Sequence, residues 1–196
     1  MLYECLLEFG RQKSNPVLNV LAGTTPVDKH KYPPGNHLEF GIGKWRGFYH
    51  SHSSPQRPET EHGHFHLFAP IVDASGEAGW THVAGLSMDT MGQPLRWFAV
   101  NRWVTDGAWI EAKVLSEMIR AQRVVSSQAV LERWLASMVS VFNEDIAAMM
   151  VARDRRLTRV NESRPDTDNL ENRDIYLLAE SPIDLLATLQ AQLEQK

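Results

Sequence analysis

Five of the eight histidines lie within seventeen residues: His50 and His52 in "YHSHSS", then His62, His64 and His66 in "EHGHFHLF", residues 61 to 68. Imidazole titrates near neutrality and is the commonest side-chain ligand of transition metals. Five cationic rings would repel one another, and buried neutral ones would each need a partner. A shared divalent ion answers both difficulties. Metal-free chemistry and a purely structural cluster stand beside it as alternatives.

The spacing predicts a hairpin. If "GFYHSHS" and "EHGHFHLF" are antiparallel neighbours joined by "SPQRPETE", His50 faces His64 and His52 faces His62. The two-residue period then gathers all five histidines on one face, whereas a one-residue slip would divide them. Strands lie about 4.8 Å apart and next-but-one residues about 7 Å apart, within reach of metal–nitrogen bonds of about 2.1 Å. The expected ligands are His50, His52 and His64, with His62 or His66 as a fourth ligand or a supporting partner. Imidazole suits Zn, Fe, Ni and Cu alike, so only a divalent transition metal is implied. Tyr49, Phe65 and Leu67 fall on the opposite face and should pack on helices, while Phe48 and Phe68 should partly enclose the histidine side.

Other groups could complete a site. Glu61 or Glu59 could orient an imidazole, bind the ion or act as general base; the alternative is a solvated glutamate in a Pro-containing turn. His82 could join from an adjacent strand or be a solitary half-buried histidine. Alternation in "LRWFAVNRWVTD" directs Arg96, Phe98 and Arg102 to one face and Trp97, Asn101 and Trp103 to the other. Arg96 or Arg102 could grip an anionic small-molecule substrate, or simply pair with a surface acid. Trp97 and Trp103 are read as core and rim packing, or as a flat wall if a site lies beside them.

The formal charge of −4 offers no attraction to phosphate backbones, which argues against nucleic acid. No basic start, long apolar core or cleavage site marks "MLYECLLEFGRQK", and no apolar run approaches a membrane span, so the expectation is a cytoplasmic protein without a membrane partner. Cys5 has no second cysteine to join and is assigned to packing. A Gly-rich phosphate loop, a nucleophile elbow and a His-Glu-x-x-His helix are all missing, and "DTDNLE" lacks the glycine and distal glutamate of a calcium loop.

These residues need a rigid frame. Composition and length fit one domain over residues 1–196. Residues 1–23 read as helical with a break at Asn15-Pro16, and the Pro-rich stretch 24–37 as an irregular connection long enough to cover a site. Residues 38–104 carry aromatic and β-branched runs separated by turn chemistry, an antiparallel sheet of about four to six strands. Residues 107–155 are expected to hold two amphipathic helices, one capped by Asp106 and a longer one running from Leu131 to Met149. Residues 174–196 should add a strand and a helix capped by Ser181, giving an α+β domain. The apolar stripe at 130 to 150 could bury a domain core or a homodimer interface.

Three resemblances accompany this reading. His62-Gly63-His64-Phe65-His66-Leu67-Phe68 resembles the signature of the histidine-triad nucleotide hydrolases and transferases, which implies metal-free attack on phosphorus by His64. His50-x-His52 followed by an acid resembles a cupin metal motif. "YHSH", "EHGHFHLF" and "RWFAVNRWVTD" together resemble an uncharacterised bacterial family, a domain of unknown function, which implies organisation and no mechanism. The favoured expectation is a metal-binding protein, a small metalloenzyme for hydrolysis or oxygen chemistry; a non-enzymatic metal buffer or sensor and the histidine-triad hydrolase are the alternatives.

Overall fold

The computed structural model describes residues 1–51, 59–72 and 75–194. Six strands form one wholly antiparallel sheet in chain order: β1 (Leu38–Phe40), β2 (Trp45–His50), β3 (Gly63–Val72), β4 (Ala78–Met88), β5 (Pro94–Val100) and β6 (Leu177–Pro182). Helices α1 (Leu2–Arg11) and α2 (Pro16–Leu21) precede the sheet. Between β5 and β6 run α3 (Arg102–Thr105), α4 (Ala112–Ala121), α5 (Val130–Val141) and α6 (Asn143–Ser163), and α7 (Leu185–Glu194) follows. The α+β expectation holds, with helices at both ends of the chain.

Local chemistry explains many of the boundaries. Asn15 caps α2 by accepting from the Leu18 amide at 2.8 Å, with Pro16 in the first turn where no amide hydrogen is needed. The β4–β5 turn is closed by Asp89, whose Oδ1 accepts from the Met91 and Gln93 amides at 2.8 Å each. Leu2, Cys5 and Phe9 bury one stripe of α1, so Cys5 packs as expected.

Successive residues on a strand face opposite ways, and the sheet uses this fully. Tyr49, Phe65, Leu86 and Trp97 are cross-strand partners along one row, and each is fully buried. They meet the helical layer, with Phe65 against Trp134 of α5 at 6.1 Å and Trp97 against Phe142 at 6.3 Å between ring centroids. The neighbouring row on the other face is His50, His64, Ser87 and Arg96.

Several boundaries differ from expectation. The long helix is two, because the backbone at Phe142 leaves helical geometry (φ −100°, ψ 23°) and the axes of α5 and α6 bend by 68°. α6 continues to Ser163 through residues whose charge hides any apolar stripe. α4 begins at Ala112 rather than after Asp106; its first amide is capped from another helix, by Asp154 Oδ2 at 2.6 Å, while Asp106 closes α3 in the left-handed region (φ 54°). Ser181 and Pro182 belong to β6, and Asp184 caps the last helix through the Ala187 amide at 2.9 Å. Among the described residues no single helix is long and apolar enough to cross a membrane.

Candidate metal centre

β2 and β3 pair with His50 opposite His64 and Phe48 opposite His66, the register that the spacing predicts. His50, His64 and His66 share one face, and a ligating nitrogen of each lies within 4.8 Å of the other two. His64 and His66 are buried and His50 is half-buried. Two imidazoles on one ion would hold their nitrogens about 3 Å apart, given bonds of about 2.1 Å. The trio could close on such an ion through side-chain movements of at most about 2 Å.

Each ring is held by a partner. His64 Nδ1 lies 2.7 Å from Glu61 Oε1, and the other carboxylate oxygen accepts from Ser87 Oγ at 2.5 Å. Glu61 is buried, so an ionised carboxylate there is best served by these donors. With Nδ1–H donated to Glu61, the lone pair of His64 resides on Nε2, which faces His50 Nε2 at 2.6 Å. At that distance a proton must lie between the two nitrogens. A carboxylate behind a histidine is the usual device for orienting a metal ligand and raising its basicity.

His66 is supported in the same manner by a histidine. Its Nδ1 lies 2.9 Å from Nε2 of His82. Burial, helped by the Arg153 guanidinium and then by His64, pushes His82 down to about 3, so its ring is neutral at pH 7 and can accept a hydrogen bond. A β-bulge brings His82 to this face. Leu67 pairs with Ala84 but Phe68 pairs with His82, leaving Val83 as the extra residue of β4. Without the bulge, strict alternation from Ser87 and Gly85 would send His82 to the helical side.

Gly85 sits between His66 and Phe98 in the second row. A Cβ there would lie 2.1 Å from Phe98 Cζ, so the phenyl ring occupies the space that a side chain would fill. This lets Phe98 approach His64 to 5.2 Å and His66 to 5.9 Å between centroids. Ser87, Gly85 and Phe98 are site residues that the sequence does not single out; Phe98 shares strand parity with Arg96, whereas Ser87 and Gly85 reach the face only through the β4–β5 pairing. Tyr176 also lies near the site, its phenol held protonated to higher pH by burial and then by the Glu61 charge, with Arg96 opposing.

Other expected residues are placed differently. His62 precedes β3 and turns to the opposite side, where its Nδ1 meets the Tyr49 hydroxyl at 2.7 Å. The one-face expectation therefore holds for His50, His64 and His66 and not for His62, which lies before β3 begins and whose ring turns to Tyr49. His52 lies outside the described residues. Glu59 is exposed in the turn. Arg96 keeps its predicted face and bonds Glu180, with Glu61 at 3.9 Å. Arg102 does not share it: Asn101 ends the strand by capping α3, and Arg102 pairs with Glu171 at 2.8 Å and Asp168 at 3.9 Å. Trp97 lies on the helical side and Trp103 in α3, so neither walls this centre.

No curated protein and no solved structure matches the chain. The family model described as a domain of unknown function, DUF6969, matches residues 1–183, a span that takes in the whole sheet and every residue of the histidine centre. The chain is thus a member of the DUF6969 family.

Proposed function

We propose that this protein binds a divalent transition metal through His50, His64 and His66 and uses it as a small metalloenzyme on a small anionic molecule. The observation that carries the reading is the convergence of three imidazole nitrogens within 4.8 Å, two of them on rings already oriented by Glu61 and His82. Among the described residues three nitrogen ligands converge, and a three-ligand set leaves a position for water or substrate, as catalytic sites do. Such an ion would polarise a substrate oxygen or lower the pKa of water, which serves both hydrolysis and oxygen chemistry.

In this reading Glu61 holds the His64 proton at Nδ1, Ser87 fixes the second carboxylate oxygen, and His82 performs for His66 the service that Glu61 performs for His64. Arg96 balances the Glu61 charge. Because a cation would replace the proton between His50 and His64, metal uptake should release a proton, and affinity should fall as pH drops below about 6.5 and the imidazoles protonate.

Metal-free attack by His64 has less support, since His64 is 2% exposed and its two nitrogens face Glu61 and His50. That alternative predicts hydrolysis of a nucleoside phosphoramidate that survives chelation and disappears in His64→Ala. A buffer or sensor predicts a closed shell with no exchangeable water on a substituted Co(II) ion.

The deciding experiment is elemental analysis of untagged protein purified without chelator, beside the His50→Ala/His64→Ala variant. About one ion per chain, lost in the variant, is the expected result. Folded protein that carries no metal and binds no added Zn, Fe, Ni or Cu overturns the proposal.

A further inference from the structure

The histidine face continues beyond the metal centre as a graded surface. Along it the cross-strand rows run from His50–His64, through Phe48–His66, to Arg46–Phe68. Phe48 and Phe68 stack at 5.8 Å with planes 24° apart. Beyond them the Arg46 guanidinium lies over the Trp80 ring at 4.0 Å, and the Pro-rich connection brings Lys31 Nζ to 4.4 Å from the Phe48 ring. An aromatic strip thus lies between the histidines and Arg46, with Lys31 above it.

Among the described residues, Arg46 differs from Arg96 on this face in its ion pairs. Arg96 is paired with Glu180. Among the described residues no carboxylate is within ion-pair distance of Arg46. Glu39 stands directly opposite on β1, yet its carboxylate turns to Lys44 at 3.9 Å. A guanidinium stacked on an indole keeps its planar fork directed edge-on for a bidentate anion, and a cation without a counter-charge in the fold favours one.

We infer that Arg46 is the anion grip of this site and that the substrate is an elongated organic acid: its carboxylate on Arg46, its apolar body along Phe48 and Phe68, and its far end at His50, His64 and His66. This rests on the reading of the histidines as the reactive centre and adds the substrate class. Rows two residues apart are about 7 Å from one another, so the centre, which spans the first two rows, lies roughly 10 Å or slightly more from the Arg46 row. A straight chain of about eight to twelve carbons, or an arylalkanoate of equal length, spans that distance. Lys31 supplies a second positive charge above the strip. The sequence expectation of Arg96 or Arg102 as the grip gives way because both already hold carboxylates.

Calorimetric titration with straight-chain carboxylates of four to twelve carbons and the matching amides tests the assignment, on protein as purified and after chelation. Affinity should rise with length to about decanoate, and decanamide should bind at least tenfold more weakly. Arg46→Gln should weaken decanoate at least tenfold and remove the preference over decanamide while leaving metal content unchanged; Arg46→Lys, which keeps the charge without the fork, should fall between and serves if the glutamine variant does not fold. Decanoate binding should persist in chelated protein, so that absence of metal and absence of the grip are told apart. Equal decanoate affinity in wild type and Arg46→Gln overturns the inference, as does failure of any carboxylate to bind. Binding confined to the apolar groove between α1 and α7, lined by Leu6, Phe9 and Leu189, would show as insensitivity to Arg46 and count against it.

Discussion

Two adjacent rows of the same four strands have opposite characters. Tyr49, Phe65, Leu86 and Trp97 are closed under helices, and each is fully buried. One residue along each strand, His50, His64, Ser87 and Arg96 form a chain of hydrogen-bonding and charged groups with Glu61 at its centre. The first row contributes stability through apolar area removed from water. The second places polar groups in low dielectric and is tolerable only because its members satisfy one another. A pleated sheet permits this division because alternation separates neighbours in sequence into different environments.

The largest expected effect lies on the helical side. Phe65→Ala removes a ring packed on Tyr49 and Trp134, and should cost about 3–5 kcal/mol and lower the melting temperature by roughly 10 °C. A loss under about 1 kcal/mol in urea denaturation would break the contrast between the rows.

On the histidine side, Glu61→Gln keeps the volume but changes the group that orients His64. Metal affinity measured by chelator competition should fall about 10- to 100-fold. The stability loss should be smaller than that of Phe65→Ala; unchanged affinity would detach Glu61 from the centre.

Gly85→Ala tests how tightly the rows are coupled. Its methyl would displace the Phe98 ring from between His66 and Arg96, at about 1–3 kcal/mol by the cost of overpacking. Near-ultraviolet circular dichroism should report the displaced ring, and an unaltered spectrum with unaltered stability would show that the face has room to spare.

The smallest effects discriminate among histidines. His82→Gln should weaken metal binding by about tenfold, since a carboxamide can still accept from His66 Nδ1. His62→Ala should leave metal content as in wild type, because His62 bonds Tyr49 on the other side; a loss as large as that of His64→Ala would return it to the ligand set.

Much of this centre was legible from the spacing of two motifs. Alternation placed His64 and His66 together, and the length of the intervening turn set His50 opposite His64. Alternation also assigned Tyr49, Phe65 and Leu67 to the core, where they lie. The same rule failed wherever a strand stopped being regular. His62 sits before β3 begins and Arg102 after β5 ends, while His82, which the sequence left as a possible addition from an adjacent strand, reaches the face through a bulge. Alternation carries no information about where pairing starts, ends or slips, since those points depend on partners far along the chain.

The amino-acid pattern alone determined the α+β class, the antiparallel sheet, the register of the histidine hairpin and the types of ligand available, because each follows from short-range periodicity and side-chain chemistry. Tertiary structure decided what no local window holds. Among the described residues it gathered His50, His64 and His66, set Ser87 on Glu61 and His82 on His66, paired Arg96 and Arg102 with acids distant in sequence, and left Arg46 stacked on Trp80 beside the aromatic strip. Those pairings join residues from different strands and helices, and their geometry exists only once the sheet has closed and the helices have covered its other face.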